Sequence, residues 1–286
     1  MKAPLTYIND TEFISKARYL KISRRSMLRL VSEKTLKVPI IYINIAEVIN
    51  KERKIMWWQN FRDEFVLNFI KDDRWKQLER GLYVTLLITA FAVLMGLFLG
   101  FIVAMIRSTY QNTGKLKFLN ALSVLYLTVI RGTPVLVQLM IIYYVIFSSG
   151  NVNKIIVAIL AFGINSGAYQ AEIFRAGINA VPKGQFEAGR SLGFNYYQTM
   201  GNIIMPQAFK NILPALGNEF IVLVKETSIA GYIALVDITK AGDIIRSRTY
   251  SAFMPLLAVA LIYLVIVMGL TYLINLLERW LRRSAR

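Results

Sequence analysis

The sequence predicts an all-α protein that crosses a membrane several times. Of its 286 residues, 56% are hydrophobic, and the mean hydropathy is +0.47. Residues 82–106 hold no charged side chain, and neither do residues 249–277. Each run exceeds the roughly 20 residues a helix needs to cross about 30 Å of hydrocarbon. A soluble core helix of that length keeps a polar face, and these runs do not.

Five spans follow from the pattern. The first covers residues 82–106 and ends at Arg107. The second lies within 118–147 and contains the interruption Arg131-Gly132-Thr133-Pro134. The third covers 154–174, the fourth 211–235 and the fifth 253–277, the fourth being the least apolar. Loop charge sets the orientation. The loop after span one carries Arg107, Lys115 and Lys117 with no acid. The loop after span three carries Arg175, Lys183, Arg190 and Lys210 against Glu187. The tail carries Arg279, Arg282, Arg283 and Arg286 against Glu278. The remaining loops are poorer in net positive charge. Basic loops stay in the cytoplasm. The N-terminus of the spanning region is therefore expected outside and the C-terminus inside, which requires an odd number of spans.

Residues 1–55 sit apart from this pattern. Twelve Lys/Arg face five acids there, a net charge of +7 that opposes an outside location. No apolar signal-peptide core follows the basic start, and the apolar stretch at 38–49 is too short to span. Two readings compete: a mostly disordered basic arm, or an upstream extension before a true start at Met56. The second is the expectation. Residues 56–80, with Trp57, Trp58, Phe61, Phe65, Phe69 and Trp75, read as an amphipathic helix at headgroup level. Residues 81–280 form the spanning domain, and 281–286 a basic tail.

Composition excludes several chemistries. The chain has no cysteine and no histidine. Thiol chemistry, disulfides, Cys/His zinc sites and His-based triads are thereby ruled out, and no metal site is expected. The net charge of +17 sits in short loops and at both ends. Membrane topology produces that distribution, so no nucleic-acid partner is implied. No Gly-x-x-x-x-Gly-Lys-Ser/Thr phosphate loop occurs, so the chain has no ATP site of that kind.

The longest inside loop carries the most specific pattern. It reads Glu187-Ala188-Gly189, then Gly193, then Ile203 and Met205-Pro206, preceded by Pro182-Lys183-Gly184-Gln185 and followed by Gln207-Ala208-Phe209. Pro182 and Gly184 suit a turn into a helix over 185–192, and Gly193 is a natural stop. A helix that short is marginal alone in water and gains by docking against a partner. The pattern resembles the EAA loop of ABC importer permeases, with Gly189 in place of the second alanine and Met205 in place of leucine. Arg131-Gly132-Thr133-Pro134, Ala171-Glu172-Ile173 and Lys225-Glu226-Thr227-Ser228 resemble the polar-amino-acid branch of that family. The resemblance covers about residues 57–280.

The resemblance implies a type I ABC importer transmembrane domain (MetI-like). The loop, 182–206, would be the coupling element that seats in the ATP-binding subunit, with Glu187, Ala188, Gly189, Gly193 and Pro206 at contact or close-approach positions. ATP and Mg would sit on that separate subunit dimer, and this chain would bind no cofactor and be no enzyme. Further partners would be a second permease copy or a paralogue, an extracytoplasmic amino-acid-binding protein and the lipid bilayer of the bacterial cell membrane.

Span four carries Glu219, Lys225 and Glu226 in an apolar run. Each central charge costs roughly 2.5–3.5 kcal/mol in a bilayer, so these side chains must face protein or a water-filled cavity. A zwitterionic amino acid needs both signs, and the hydroxyls of Thr227 and Ser228 stand beside them. A structural ion-pair network is the competing reading. Arg131, Gln138, Asn165 and Tyr169 are further pathway candidates, with interface anchoring or helix–helix hydrogen bonding as their plainer roles. Glu172 and Arg175 read as a local ion pair. The function expected is uptake of polar amino acids. The alternatives are cystine, an opine or another small amine as cargo, or a stand-alone secondary transporter that needs no ATPase.

Overall fold

The computed structural model describes residue 51, residues 55–148 and residues 152–283. Most of the expected N-terminal extension, residues 1–50 and 52–54, lies outside the described residues. The chain divides into a unit ending at Phe61 and a unit from Arg62 to Arg286. In the first unit residues 55–61 are helical and exposed, with the Trp57 and Phe61 rings stacked at 5.5 Å.

The second unit is helical, with no strand among its described residues. Its order is α1 (Trp75–Thr113), α2 (Lys117–Gly132), α3 (Val135–Ile141), α4 (Lys154–Asn179), α5 (Lys183–Ser191), α6 (Tyr196–Thr199), α7 (Met205–Glu226), α8 (Ile238–Thr249) and α9 (Phe253–Arg283). Short π-helical turns, Ile142–Ile146 and Met200–Ile204, extend α3 and precede α7. A 3-10 stretch, Thr227–Ile233, continues α7.

The single amphipathic helix expected over 56–80 is broken. A π-turn at Val66–Ile70 leads into a tight bend where Asp72 and Asp73 both take positive φ, and α1 begins at Trp75. The buried Arg74 guanidinium holds this bend through the Leu67 carbonyl and the Asp72 carboxylate. The long helices also run past their charge-free cores, because apolarity marks only the part that lipid would contact. α1 has 39 residues, about 58 Å of helix.

α1 and α4 form the central pair. The buried face of α1 is a row of small residues that includes Thr85, Thr89, Ala92, Gly96, Gly100 and Ala104. A Cβ at Gly100 would stand 2.9 Å from the Ala171 backbone nitrogen, so the two backbones meet at this crossing. Apolar helices in lipid gain little by hiding from solvent, and close backbone packing at small residues is what associates them. Around this pair Ile88, Leu139, Phe162, Leu223 and Ile233 form one cluster, and Phe174, Ile178, Met200, Ile204 and Ile212 form another.

Among the described residues three helices are long and apolar enough to cross a membrane: Trp75–Thr113, Lys154–Asn179 and Phe253–Leu281. The expected second span is the pair Lys117–Gly132 and Val135–Ile146, bent by 107°. Pro134 supplies no N–H, and its ring pushes Thr133 out of the helical region, to φ −123° and ψ 147°. The expected fourth span corresponds to α7 and its 3-10 continuation. α7 carries Lys210, Glu219, Lys225 and Glu226, which keep it below the apolarity of a spanning helix. Apolarity and length thus account for three spans, or four with the bent pair, and a fifth rests on α7.

Candidate coupling and translocation sites

The loop after α4 is a built unit. Val181 and Ile178 anchor its start in the cluster with Met200 and Ile204. α5 follows Pro182, which carries the extended ψ of 135° that turns the chain. At the far end Gly193 has φ +81°, and its N–H donates to the Arg190 carbonyl at 2.9 Å. Glycine is the residue that takes this left-handed conformation without strain. Asn195 then opens α6 with a reciprocal cap to Gln198.

α5 presents two faces. Gly189 points inward: a Cβ there would lie 2.6 Å from Thr199 Cγ2, so only glycine lets α5 sit against the turn that follows. Glu187 and Ala188 are exposed, as are Gly193 and Pro206. Leu192 is 71% exposed, an apolar side chain at the tip that the sequence reading did not single out. Two contacts tie this loop to the long helices. Tyr196 Oη and Ser108 Oγ of α1 are 3.2 Å apart, and Gln207 Nε2 of α7 donates to Gln185 Oε1 at 3.3 Å. The loop is thus joined to α1 through α6, to α7 through Gln185 and to α4 through the cluster at Ile178.

The pathway candidates fall into three groups. The first is on α7. Glu219 Oε1 accepts from Ser166 Oγ of α4 at 3.0 Å, Ser166 Oγ accepts from Gln170 Nε2 at 2.9 Å, and the same Nε2 reaches the Val93 carbonyl of α1 at 3.4 Å. Lys225 is exposed and Glu226 half-buried, and neither makes a hydrogen bond with another described residue. Ser228 is half-buried. Thr227 is fully buried and donates to the Val224 carbonyl at 2.7 Å at the end of α7.

The second group holds the elbow. Gln138 Nε2 lies 2.7 Å from the Ile130 carbonyl and 3.0 Å from the Thr133 carbonyl, and Gln138 Oε1 accepts from Asn165 Nδ2 at 2.9 Å. Gln138 thus donates to carbonyls that the broken helix frees, and Asn165 steadies it by donating to its amide oxygen. The third group is charged. Arg131 Nη1 lies 3.6 Å from Glu172 Oε1 and its guanidinium 5.6 Å from the Tyr169 ring centre, while Arg175 closes on Glu172 at 2.6 Å. The local Glu172–Arg175 pair is thus joined by Arg131 from the elbow. Gln170 is the residue sequence reasoning missed. A lone glutamine in an apolar run is the one signal it gave.

A separate cleft of about 680 Å³ opens beside the loop, lined by Pro182, Gln207, Lys210, Asn211 and Glu278 among others. None of the pathway candidates lines it.

These features define a multi-pass helical membrane protein with a built, partly exposed loop between α4 and α7. The chain belongs to the family of binding-protein-dependent transport system inner membrane components, which it matches over residues 96–283. The arginine transport system permease protein ArtQ of Bacillus subtilis is 38% identical over 207 residues, covering 71% of this chain and 92% of that protein. The L-cystine transport system permease protein TcyB of the same organism is 36% identical over 219 residues, covering 76% and 91%. The crystal structure of an amino acid ABC transporter with histidines matches with TM-score 0.68 at 42% identity, covering 74% of this chain and 97% of that one. An inward-facing MetNI methionine ABC transporter shares the fold at 22% identity and TM-score 0.57, over 73% of this chain and 96% of that one. The chain is accordingly a transport subunit and not an enzyme.

Proposed function

We propose that this chain is the permease subunit of an ATP-driven importer of polar amino acids. The observation that carries the reading is α5: a short exposed helix, ended by Gly193 and tied to α1, α4 and α7, in a chain of the binding-protein-dependent family. It takes the stroke of a separate ATP-binding subunit dimer, where ATP and Mg reside. Glu187, Ala188 and the exposed Leu192 form the contact face, and Gly189, Gly193 and Pro206 shape it. Two permease chains, identical or paralogous, enclose the path, since α7 is too charged to stand in lipid alone. Glu219, Lys225, Glu226 and Ser228 line that path and offer both signs to a zwitterion. Arg131 and Tyr169 border it, while Gln138 and Asn165 hold the elbow. The basic loops at 107–117 and 175–210 support a cytoplasmic location for α5 and an outside location for the start of α1.

Likeness to ArtQ and to an amino acid ABC transporter supports a polar amino acid as cargo. Likeness to TcyB favours cystine as a second reading. Purification of the native complex in detergent tests the first claim: an ATP-binding subunit is expected to co-purify with the wild type and to be lost with Glu187→Lys. Retention with that variant contradicts it. Uptake of labelled arginine and labelled cystine by the same complex separates the two cargoes.

A further inference from the structure

The outer end of the chain carries a helix whose construction the transport path does not explain. α8 lies between α7 and α9, outside the apolar runs. It is fixed firmly. Asp237, buried, caps it by accepting from the backbone N–H groups of Thr239 and Lys240, each at 3.0 Å. Ile238, Ala241 and Ile245 are fully buried against Leu78, Met254 and Val259. At the other end Thr249 Oγ1 donates to Asn68 Oδ1 at 2.7 Å.

The exposed face differs in chemistry. Asp243 pairs with Lys240 at 2.9 Å and Arg246 at 2.6 Å, so one carboxylate faces two cations. Arg248 is exposed and makes no hydrogen bond or ion pair with another described residue. The helix ends at Tyr250, which is 97% exposed and sits at φ 54°. A left-handed tyrosine is costly, and the conformation holds the ring out beyond the helix end. Exposed Tyr and Arg on a rigid support are the residue types that concentrate binding energy in protein interfaces.

We propose that the α8 tip, with Arg248 and Tyr250 as its anchors, is the docking surface for the soluble amino-acid-binding protein, which meets it with an acidic patch. This rests on the importer reading and on its orientation. The family is binding-protein-dependent, so a soluble partner has to meet the outer end. The cationic surplus on α8 sets the sign of that partner. A bilayer is the poorer occupant: interfacial helices bury an apolar face in lipid, and the apolar face of α8 is already covered by α1 and α9.

The test uses the complete permease–ATPase complex in lipid nanodiscs. The probe is the soluble binding protein that supports amino-acid uptake by the wild-type complex. ATPase activity is followed as that protein is titrated in. Tyr250→Ala and Arg248→Glu should each raise its half-saturating concentration by about tenfold or more, with basal activity unchanged. Tyr250→Phe should stay near the wild type. Raising NaCl from about 0.05 M to about 0.3 M should weaken the wild type more than Arg248→Glu. Half-saturation unchanged in both variants overturns the docking surface. So does an equal loss of basal and stimulated activity, which marks the tip as a bilayer anchor or a folding element. If no soluble binding protein supports uptake by the wild-type complex, the importer reading itself falls, a result distinct from either.

Discussion

Glu219 of α7 and Ser166 of α4 meet through a 3.0 Å hydrogen bond, Ser166 donating and the carboxylate accepting. Behind Ser166 stands Gln170, fully buried, which reaches the Val93 carbonyl of α1. Three helices are thus tied by side chains at a carboxylate that lipid would not tolerate. A double-mutant cycle with Ser166→Ala and Glu219→Gln should show coupling of about 0.6 kcal/mol and at most about 1.7 kcal/mol, the range for hydrogen bonds between membrane helices. Strictly additive effects in SDS unfolding would show that the bond contributes nothing.

The elbow between α2 and α3 depends on Gln138. Replacing it with leucine leaves the Ile130 and Thr133 carbonyls without their donor. The expected loss is about 1–3 kcal/mol of stability. Asn165→Ala, which removes the residue bonded to the Gln138 carbonyl, should cost less. Spin labels at residues 122 and 145 provide the readout: the distance distribution should broaden in Gln138→Leu. A sharp, unshifted distribution would place the origin of the bend in Pro134 alone.

Asp237 gives a pH-dependent prediction. Burial pushes its carboxyl above the usual range, outweighing the backbone N–H groups of Lys240 and Thr239 that favour the charged form. A folded-state value above the unfolded one means that the group's favourable contribution is complete below the unfolded value. It fades as pH rises through the folded one. Asp237→Asn keeps an acceptor for the cap and removes the charge. It should match or exceed wild-type stability at neutral pH, and its advantage should shrink below pH ~4. Asp237→Ala loses the cap; its cost should be about 1 kcal/mol below pH ~4 and shrink as the pH rises. Thermal unfolding of the detergent-solubilised protein across pH measures both.

Gly189 should tolerate nothing larger. A Cβ 2.6 Å from Thr199 Cγ2 forces α5 off the turn behind it. Gly189→Leu should insert and fold its long helices normally, as circular dichroism would register. It should lose most ATP-driven uptake. Uptake within twofold of the wild type would mean that the seat of α5 does not matter to the stroke.

What could be read before the structure followed the range of the interaction. α5 was legible because Pro182, Gly184 and Gly193 act locally, through turn chemistry within a few residues. The break at Pro134 was legible for the same reason. The size of the bend was not, since it depends on Gln138 reaching back over the break and on Asn165 from another helix. The start of α1 at Trp75, ahead of the expected span at 82–106, was not legible because Asp72 and Asp73 make the turn without glycine, and apolarity begins only later. Gln170 and the Arg131–Glu172 pair stayed hidden because helices distant in sequence bring their partners together. α7 was marked by its charges, yet those same charges keep composition alone from deciding how it sits in the membrane.

The account is tested most directly by accumulation of a labelled amino acid in proteoliposomes. The complete complex with its binding protein and internal ATP should concentrate the solute against a gradient. Omitting the ATP-binding subunit, or carrying Glu187→Lys in this chain, should reduce accumulation to the level of empty vesicles. Undiminished accumulation by this chain in the absence of any ATP-hydrolysing subunit would contradict it.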